Sequence, residues 1–243
     1  MSQTAIIVPC YNEITRLPKQ DFSNFIKLES DFDFYFINDG STDNTFEMLS
    51  SICEKNIGRC KVINLTKNVG KAEAVRVGML EAANVRKYKY IGFLDADLAT
   101  PLNELPFLLS ILSTKKILLV MGIRLQRLGA KIKRSTTRHY LGRIFGTFAS
   151  LVLNLPVYDT QCGAKIFAST CINDLFGEPF ISKWIFDVEI IARIRKMIGE
   201  QSKEQIYEFP LNIWEEKGGS KVHFKSMIIV PFELFKIYRK YKN

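Results

Sequence analysis

The tripeptide Asp95-Ala96-Asp97 puts two carboxylates one residue apart, directly after the apolar run Tyr90–Leu94. At the end of a buried strand such a density of negative charge is costly. A hard divalent cation, Mg²⁺ or Mn²⁺, relieves the repulsion and can bridge to a diphosphate. A solvated turn is the competing reading. Asp39-Gly40-Ser41-Thr42-Asp43 offers a similar choice. It reads as a turn and helix cap, or Asp39 accepts hydrogen bonds from a base or ribose. Pro9, Tyr11 and Glu13 can wall and anchor the same nucleoside, Tyr11 with its ring face and Glu13 as an acceptor. Lys71 opens a helix, where a cation opposes the helix dipole. An anionic ligand at that helix start would account for it, and so would a pair with Glu73 or Glu47.

These residues need elements to carry them. Ala5–Val8, Phe32–Ile37, Lys61–Leu65 and Tyr90–Leu94 are short, bounded by turn residues and rich in branched or aromatic side chains, so they read as strands. Asp43–Lys55 and Lys71–Ala83 read as helices, the first capped by Thr42 or Asp43. In the second helix Ala74, Gly78 and Ala82 form a stripe of small residues that lets it lie close to a sheet. Strand–helix alternation predicts an α/β fold with a mostly parallel central sheet flanked by helices. Ligands of such sheets gather beyond the carboxyl ends of the strands, and the three polar clusters follow the first, second and fourth strands.

The chain of 243 residues is expected to form a single domain, residues 1–243, with no repeat, low-complexity segment or linker. A net charge of +9 points to anionic partners. Five scattered cysteines without CxxC spacing argue against a disulfide framework or structural zinc, and for a reducing compartment. No secretory signal is read at the N-terminus. The longest apolar stretch, Ile144 to Leu155, falls short of the roughly 18 residues that span a bilayer.

Val8-Pro9-Cys10-Tyr11-Asn12-Glu13, Asn38-Asp39-Gly40-Ser41-Thr42-Asp43, Asn68-Val69-Gly70-Lys71 and Asp95-Ala96-Asp97, in that order, closely resemble the donor half of the inverting glycosyltransferases of family two. The resemblance implies the GT-A (Rossmann-like) fold, a nucleotide-diphosphate-sugar donor and a divalent metal held by Asp95 and Asp97. It implies that Pro9, Tyr11, Glu13, Asp39, Lys71, Asp95 and Ala96 line the nucleotide sugar, in a donor half of about residues 1–125. Asp159-Thr160-Gln161-Cys162-Gly163, Trp184-Ile185-Phe186-Asp187-Val188-Glu189, and Trp214-Glu215 with Gly219-Ser220-Lys221 resemble the dolichyl- and polyprenyl-phosphate glucosyltransferase branch. That implies transfer of a hexose, most often glucose from UDP-glucose, to a polyprenyl or dolichyl phosphate. The acceptor half would be about residues 126–243. In the related mannosyl branch, basic residues matching Arg124 and Arg138 hold phosphates; Gln161, Ser220 and Lys221 are the remaining acceptor-side residues. Two positions depart from the pattern. Ala99 stands where a third metal-binding side chain is common, and Gly142 where a serine often follows the second arginine. Eukaryotic glucosyl members usually begin with a membrane anchor, and none is expected here.

The reaction expected is a single in-line displacement at the anomeric carbon, with Asp97, Asp159 and Arg124 as its catalytic set. Asp159 is either a base or an orienting group beside Gln161. Lys131, Lys133, Arg134, Arg138 and Arg143 precede an apolar stretch, and Met227–Tyr241 mixes large apolar residues with Lys236, Arg239 and Lys240. Both fit helices on an anionic membrane surface or helices closing the domain's own core, and a peripheral position on the cytoplasmic face of a membrane is expected. A hydroxyl acceptor on a glycan and a non-catalytic nucleotide-binding scaffold are the alternatives. Nucleotidyl transfer would call for a glycine-rich loop after the first strand, where Pro9–Glu13 has no glycine. A nucleic-acid binder would place acidic clusters against a phosphate backbone.

Overall fold

The computed structural model describes residues 3–85, 88–218 and 224–242. The chain runs β1 (Thr4–Cys10), α1 (Lys19–Leu28), β2 (Phe32–Asp39), α2 (Thr45–Glu54), β3 (Cys60–Leu65), α3 (Lys71–Val85) and β4 (Tyr90–Leu94). It continues through α4 (Leu105–Lys115), β5 (Leu119–Ile123), β6 (Lys131–Lys133), α5 (Thr136–Leu153), β7 (Ala164–Ala168), α6 (Ile172–Phe176) and α7 (Phe186–Ile198). The last elements are α8 (Ser202–Gln205), β8 (Ile206–Pro210), β9 (Ile213–Glu215) and α9 (Phe224–Tyr241). The strands and helices expected in the first half are all present, with ends displaced by one or two residues.

Seven strands form one sheet in the order β3-β2-β1-β4-β7-β5-β8. β7 is antiparallel to both β4 and β5, and every other neighbour pair is parallel. The expected α/β class with a mostly parallel sheet holds. β7 has a positional consequence. Because it runs backwards, its start, beside Leu94 at Ala164, lies on the same sheet edge as the ends of β1, β2, β4 and β5. The segment 159–163 is thereby delivered to the edge that carries residues 9–13, 39–43 and 95–97. A two-stranded parallel sheet, β6 with β9, stands apart from the main one.

Alternation along the strands divides the core in two. Phe32, Phe34 and Phe36 of β2 face one side and meet Phe22 and Phe25 of α1 edge-on or tilted; α2 and α4 complete that layer. Each such side chain fully buried contributes about 1.5–3 kcal/mol. Tyr35 and Ile37 face the other side, where α3, α5, α6, α7 and α9 pack. The small stripe of α3 behaves as its spacing predicts. A methyl group at Gly78 would collide with Ile7 and Ile37, so only glycine lets α3 sit this close to β1 and β2.

The cysteine reading needs correcting. Cys53 and Cys60 form a disulfide, while Cys10, Cys162 and Cys171 are free and buried. Cys53 lies in the last turn of α2 and Cys60 opens β3, so the short connection brings their Cα atoms to 4.8 Å whatever the composition suggests. Cysteine usage therefore no longer argues for a reducing compartment. Among the described residues no helix is long and apolar enough to cross a membrane. α5 and α9, which pack on each other, nevertheless turn Tyr140, Ile144, Phe148, Leu151, Phe232 and Phe235 outward, each more than half exposed.

Candidate functional site

The loop after β1 is tied to the loop after β2. Asn12, in the left-handed region at φ 53°, donates its N–H to Ser41 Oγ at 3.0 Å and accepts the Thr42 N–H at 2.9 Å. Glu13 N–H donates to Thr45 Oγ1 at 2.8 Å. Pro9, Tyr11 and Glu13 are thus held, half-buried, above one strand end. Pro9 lies beyond Ile7, the last residue of β1 paired with β4, so its missing N–H costs no ladder bond there.

Asp39, 2% exposed, closes the end of β2. Its carboxylate accepts the N–H groups of Val69 at 2.7 Å and Gly70 at 2.9 Å, and the Asn68 amide at 3.0 Å. Burial raises its pKa, opposed by those N–H bonds and by Lys183. Its visible work is to shape the turn that presents Lys71. Lys71 pairs with neither Glu73 nor Glu47: Glu73 holds Arg76, and Lys71 Nζ lies 2.5 Å from Asp95 Oδ1. Desolvation lowers the Lys71 pKa, and Asp95 and Asp187 more than restore it, leaving it raised. The cation that opposed the helix dipole has found its anion across the sheet edge.

Asp95 packs against Gly163, whose carbonyl accepts the Asp95 N–H at 3.0 Å. Any side chain at Gly163 would overlap the Asp95 carboxylate. Ala96 is buried. Asp97 Oδ1 accepts the Ala99 N–H at 3.1 Å, and Oδ2 faces Arg16 Nη2 at 3.1 Å. Arg16 also approaches Glu13 Oε2 at 3.7 Å. The described residues hold no cluster of three side chains able to chelate a metal, and Ala99 offers only its backbone. Two hard carboxylates, 34% and 22% exposed, form a donor set that suits an oxygen-seeking Mg²⁺ or Mn²⁺ completed by water and phosphate oxygens.

Across the edge, Arg124 follows β5 and clamps Asp159 in both directions: Nε to Oδ2 and Nη2 to Oδ1 at 2.7 Å each. The Arg124 N–H adds a third bond at 3.1 Å. Burial disfavours the charged form of Asp159, yet Arg124 outweighs it and holds the pKa down to about 2. The guanidinium carbon stands 5.3 Å from the Trp214 ring centre. Gln161 N–H donates to Asp159 Oδ1 at 3.3 Å. Arg138 is exposed at the start of α5 and pairs with Glu216 at 2.6 Å. Gly142 leaves room for the Arg134 guanidinium, which would crowd any side chain there. Burial and the Arg124 charge lower the Arg134 pKa. Ser220 and Lys221 lie outside the described residues.

Sequence reasoning overlooked Arg16, Lys165 and Lys183, and placed Arg134 only in a basic stretch fitting a membrane surface. Lys165 is fully buried and donates to Asp187 Oδ1 at 2.5 Å and to the Cys162 carbonyl at 2.6 Å. Asp187, singled out within Trp184–Glu189, thus anchors α7 beneath the site. Glu189 is structural, accepting the Ile181 N–H at 2.7 Å and the Arg193 guanidinium and Tyr241 hydroxyl at 2.8 Å. Lys183 hangs over Gly70. A lone loop arginine or strand lysine carries no periodic signal. Arg16 and Asp97 lie 81 residues apart, so only the fold reveals that pair.

Residues 5–176 match the family described as Glycosyl transferase family 2. The dolichyl-phosphate beta-glucosyltransferase of Saccharomyces cerevisiae is 33% identical over 269 residues, covering 98% of this chain and 77% of that one. The enzyme of the same name from Dictyostelium discoideum is 31% identical, covering 98% and 74%. Glucosyl-3-phosphoglycerate synthase from Mycobacterium tuberculosis, solved with Mn²⁺, UDP-glucose and phosphoglyceric acid, superposes with a TM-score of 0.72 at 15% identity, covering 98% and 80%. At that identity the likeness speaks for the fold alone.

Proposed function

Because the chain belongs to glycosyl transferase family 2, we propose that it transfers glucose, with inversion, from UDP-glucose to a polyprenyl or dolichyl phosphate. The donor side follows from the family and from the edge assembled by Pro9, Tyr11, Glu13, Asp39, Lys71, Asp95 and Asp97. The acceptor class rests on one observation: Asp159, the candidate base, is locked by Arg124 with a pKa of about 2. A hydroxyl acceptor calls for a base poised near the working pH. A phosphate acceptor is already largely ionised near pH 7 and calls for none. The names of the yeast and Dictyostelium relatives support the same class.

In the displacement, a phosphate oxygen of the acceptor forms its bond to the anomeric carbon as the bond from that carbon to the UDP oxygen breaks. The electron pair leaves with UDP. Asp95 and Asp97 would hold the divalent cation, whose chemistry is to neutralise charge on the departing diphosphate. Lys71, fixed by Asp95, adds positive charge beside it. Arg124, oriented by Asp159 and backed by Trp214, supplies a rigid cation where two anions must approach. Asp159 then serves as the orienting group of the two roles open to it. Arg134 and Arg138 extend the positive field toward the acceptor side.

The outward apolar faces of α5 and α9, with Arg138, Arg143, Lys236, Arg239 and Lys240 nearby, support peripheral binding at an anionic lipid surface, where such an acceptor would reside. The test is turnover: purified protein, UDP-glucose, Mn²⁺ or Mg²⁺, with and without a short polyprenyl phosphate. Acceptor-dependent UDP release with a glucosylated lipid is expected. Glucose transfer to glycan hydroxyls with no lipid product would overturn the acceptor assignment, and failure to bind any nucleotide sugar would overturn the donor reading.

A further inference from the structure

We propose that Arg16 is a positioning residue that competes with a divalent cation for the Asp97 carboxylate, so that metal binding at this site depends on the nucleoside diphosphate. The inference rests on the metal role given above to Asp97. Each oxygen of that carboxylate has one partner. Oδ1 takes the Ala99 N–H at 3.1 Å and Oδ2 faces the Arg16 guanidinium at 3.1 Å. The first partner is fixed. Leu98 turns through the left-handed region at φ 50°, and Ala99 is pinned to β9 through its carbonyl, which accepts the Glu215 N–H at 2.9 Å. A cation that binds Oδ2 must therefore share that oxygen with the Arg16 guanidinium, against its charge, or displace it.

Arg16 can be displaced because it is less constrained than Lys71 and has a second carboxylate beside it. Lys71 sits at the first residue of a helix, its ammonium clamped by Asp95. Arg16 rides on an irregular loop and is 29% exposed. It already lies 3.7 Å from a second carboxylate, Glu13. It also borders a cleft of about 640 Å³ whose lining includes Asp21 and Asn24 of α1. A released guanidinium thus exchanges one carboxylate for another at the cleft wall. While it holds Asp97, Arg16 crowds Oδ2 and repels a divalent cation. A diphosphate offsets that repulsion with its own negative charge, so the two ligands favour each other. Such coupling is reciprocal by linkage.

The measurement is Mn²⁺ uptake by the full chain, read from the electron paramagnetic resonance of free Mn²⁺, with and without UDP. A partly exposed ion pair contributes at most about 1 kcal/mol, which corresponds to about a five-fold change in affinity. Arg16→Gln and Arg16→Met should each bind Mn²⁺ alone up to about five-fold more tightly than the unaltered chain. The enhancement brought by UDP should shrink by the same factor. Arg16→Lys, which keeps the charge, should stay near the unaltered chain. Folded Gln and Met variants that bind Mn²⁺ no more tightly would overturn the proposal. If the unaltered chain takes up no Mn²⁺ even with UDP, or Asp97→Asn binds it equally well, the metal reading of Asp97 falls first and this inference with it.

Discussion

Two sets of carboxylates in this molecule are treated in opposite ways. Asp95 and Asp97, at the rim of the sheet, are partly exposed, Asp95 facing Lys71 and Asp97 facing Arg16. Glu189, in the second half, is fully buried and satisfied by three donors from three different segments. The buried set cannot change partners without leaving a charge unpaired in the interior, which is what makes it structural. At the rim, Asp97 can exchange its guanidinium for another cation at lower cost, because both partners are partly exposed. Asp159 lies between the extremes: buried like Glu189, yet committed to an arginine that faces the site.

Three substitutions would break this contrast if it is false. The largest effect expected on stability is Glu189→Ala, which leaves Arg193 buried without its carboxylate partner and frees Tyr241. It should destabilise by about 3–5 kcal/mol, measured by urea unfolding. A loss under 1 kcal/mol would show that the buried set is not structural. Next comes Asp97→Ala, expected to lower kcat about 10²- to 10³-fold, the scale for removing one electrostatic stabiliser. Its unfolding midpoint should stay near that of the unaltered chain. A smaller effect is expected for Asp159→Asn, about ten-fold in kcat, because Arg124 keeps a neutral partner of the same shape but loses its charge pair, worth about one factor of ten per 1.4 kcal/mol. Loss of all activity, or a pH–rate profile that loses a limb near neutrality, would restore Asp159 as the base.

The rim was legible in the sequence because its parts are local. A strand, a turn and a helix start each fit within a dozen residues, and their carboxylates fall directly after apolar runs. The stripe at Ala74, Gly78 and Ala82 was legible for the same reason. What the sequence hid is non-local. β7 inserts backwards between β4 and β5, so residues 159–163 join the site from another part of the chain. The Arg124–Asp159 clamp spans 35 residues and the Arg16–Asp97 pair 81. Neither has a period or spacing to betray it. The resemblance supplied Asp159 and Arg124 as site residues, and only the geometry couples them into one unit. The disulfide was missed because cysteine counting sees number and spacing, whereas Cys53 and Cys60 meet through the geometry of a helix end and a strand start.

The finest test of the contrast is the pH dependence of stability. Asp159 has a folded pKa of about 2 against an ordinary value of 3.8, with Arg124 overcoming the burial that pushes it the other way. Its folded pKa is depressed, so its contribution is fully present above about pH 4 and is lost as pH falls toward about 2. The difference of nearly two pH units corresponds to about 2 kcal/mol. Asp159→Asn cannot titrate. The stability gap between the two proteins, measured by urea unfolding at successive pH values, should therefore be constant from pH 7 to about 5 and close by about 2 kcal/mol as pH approaches 2. If the Asp159→Asn gap stayed constant down to pH 2, Arg124 would not be holding that carboxylate ionised, and the division between an exchangeable rim and a locked interior would fail at its boundary.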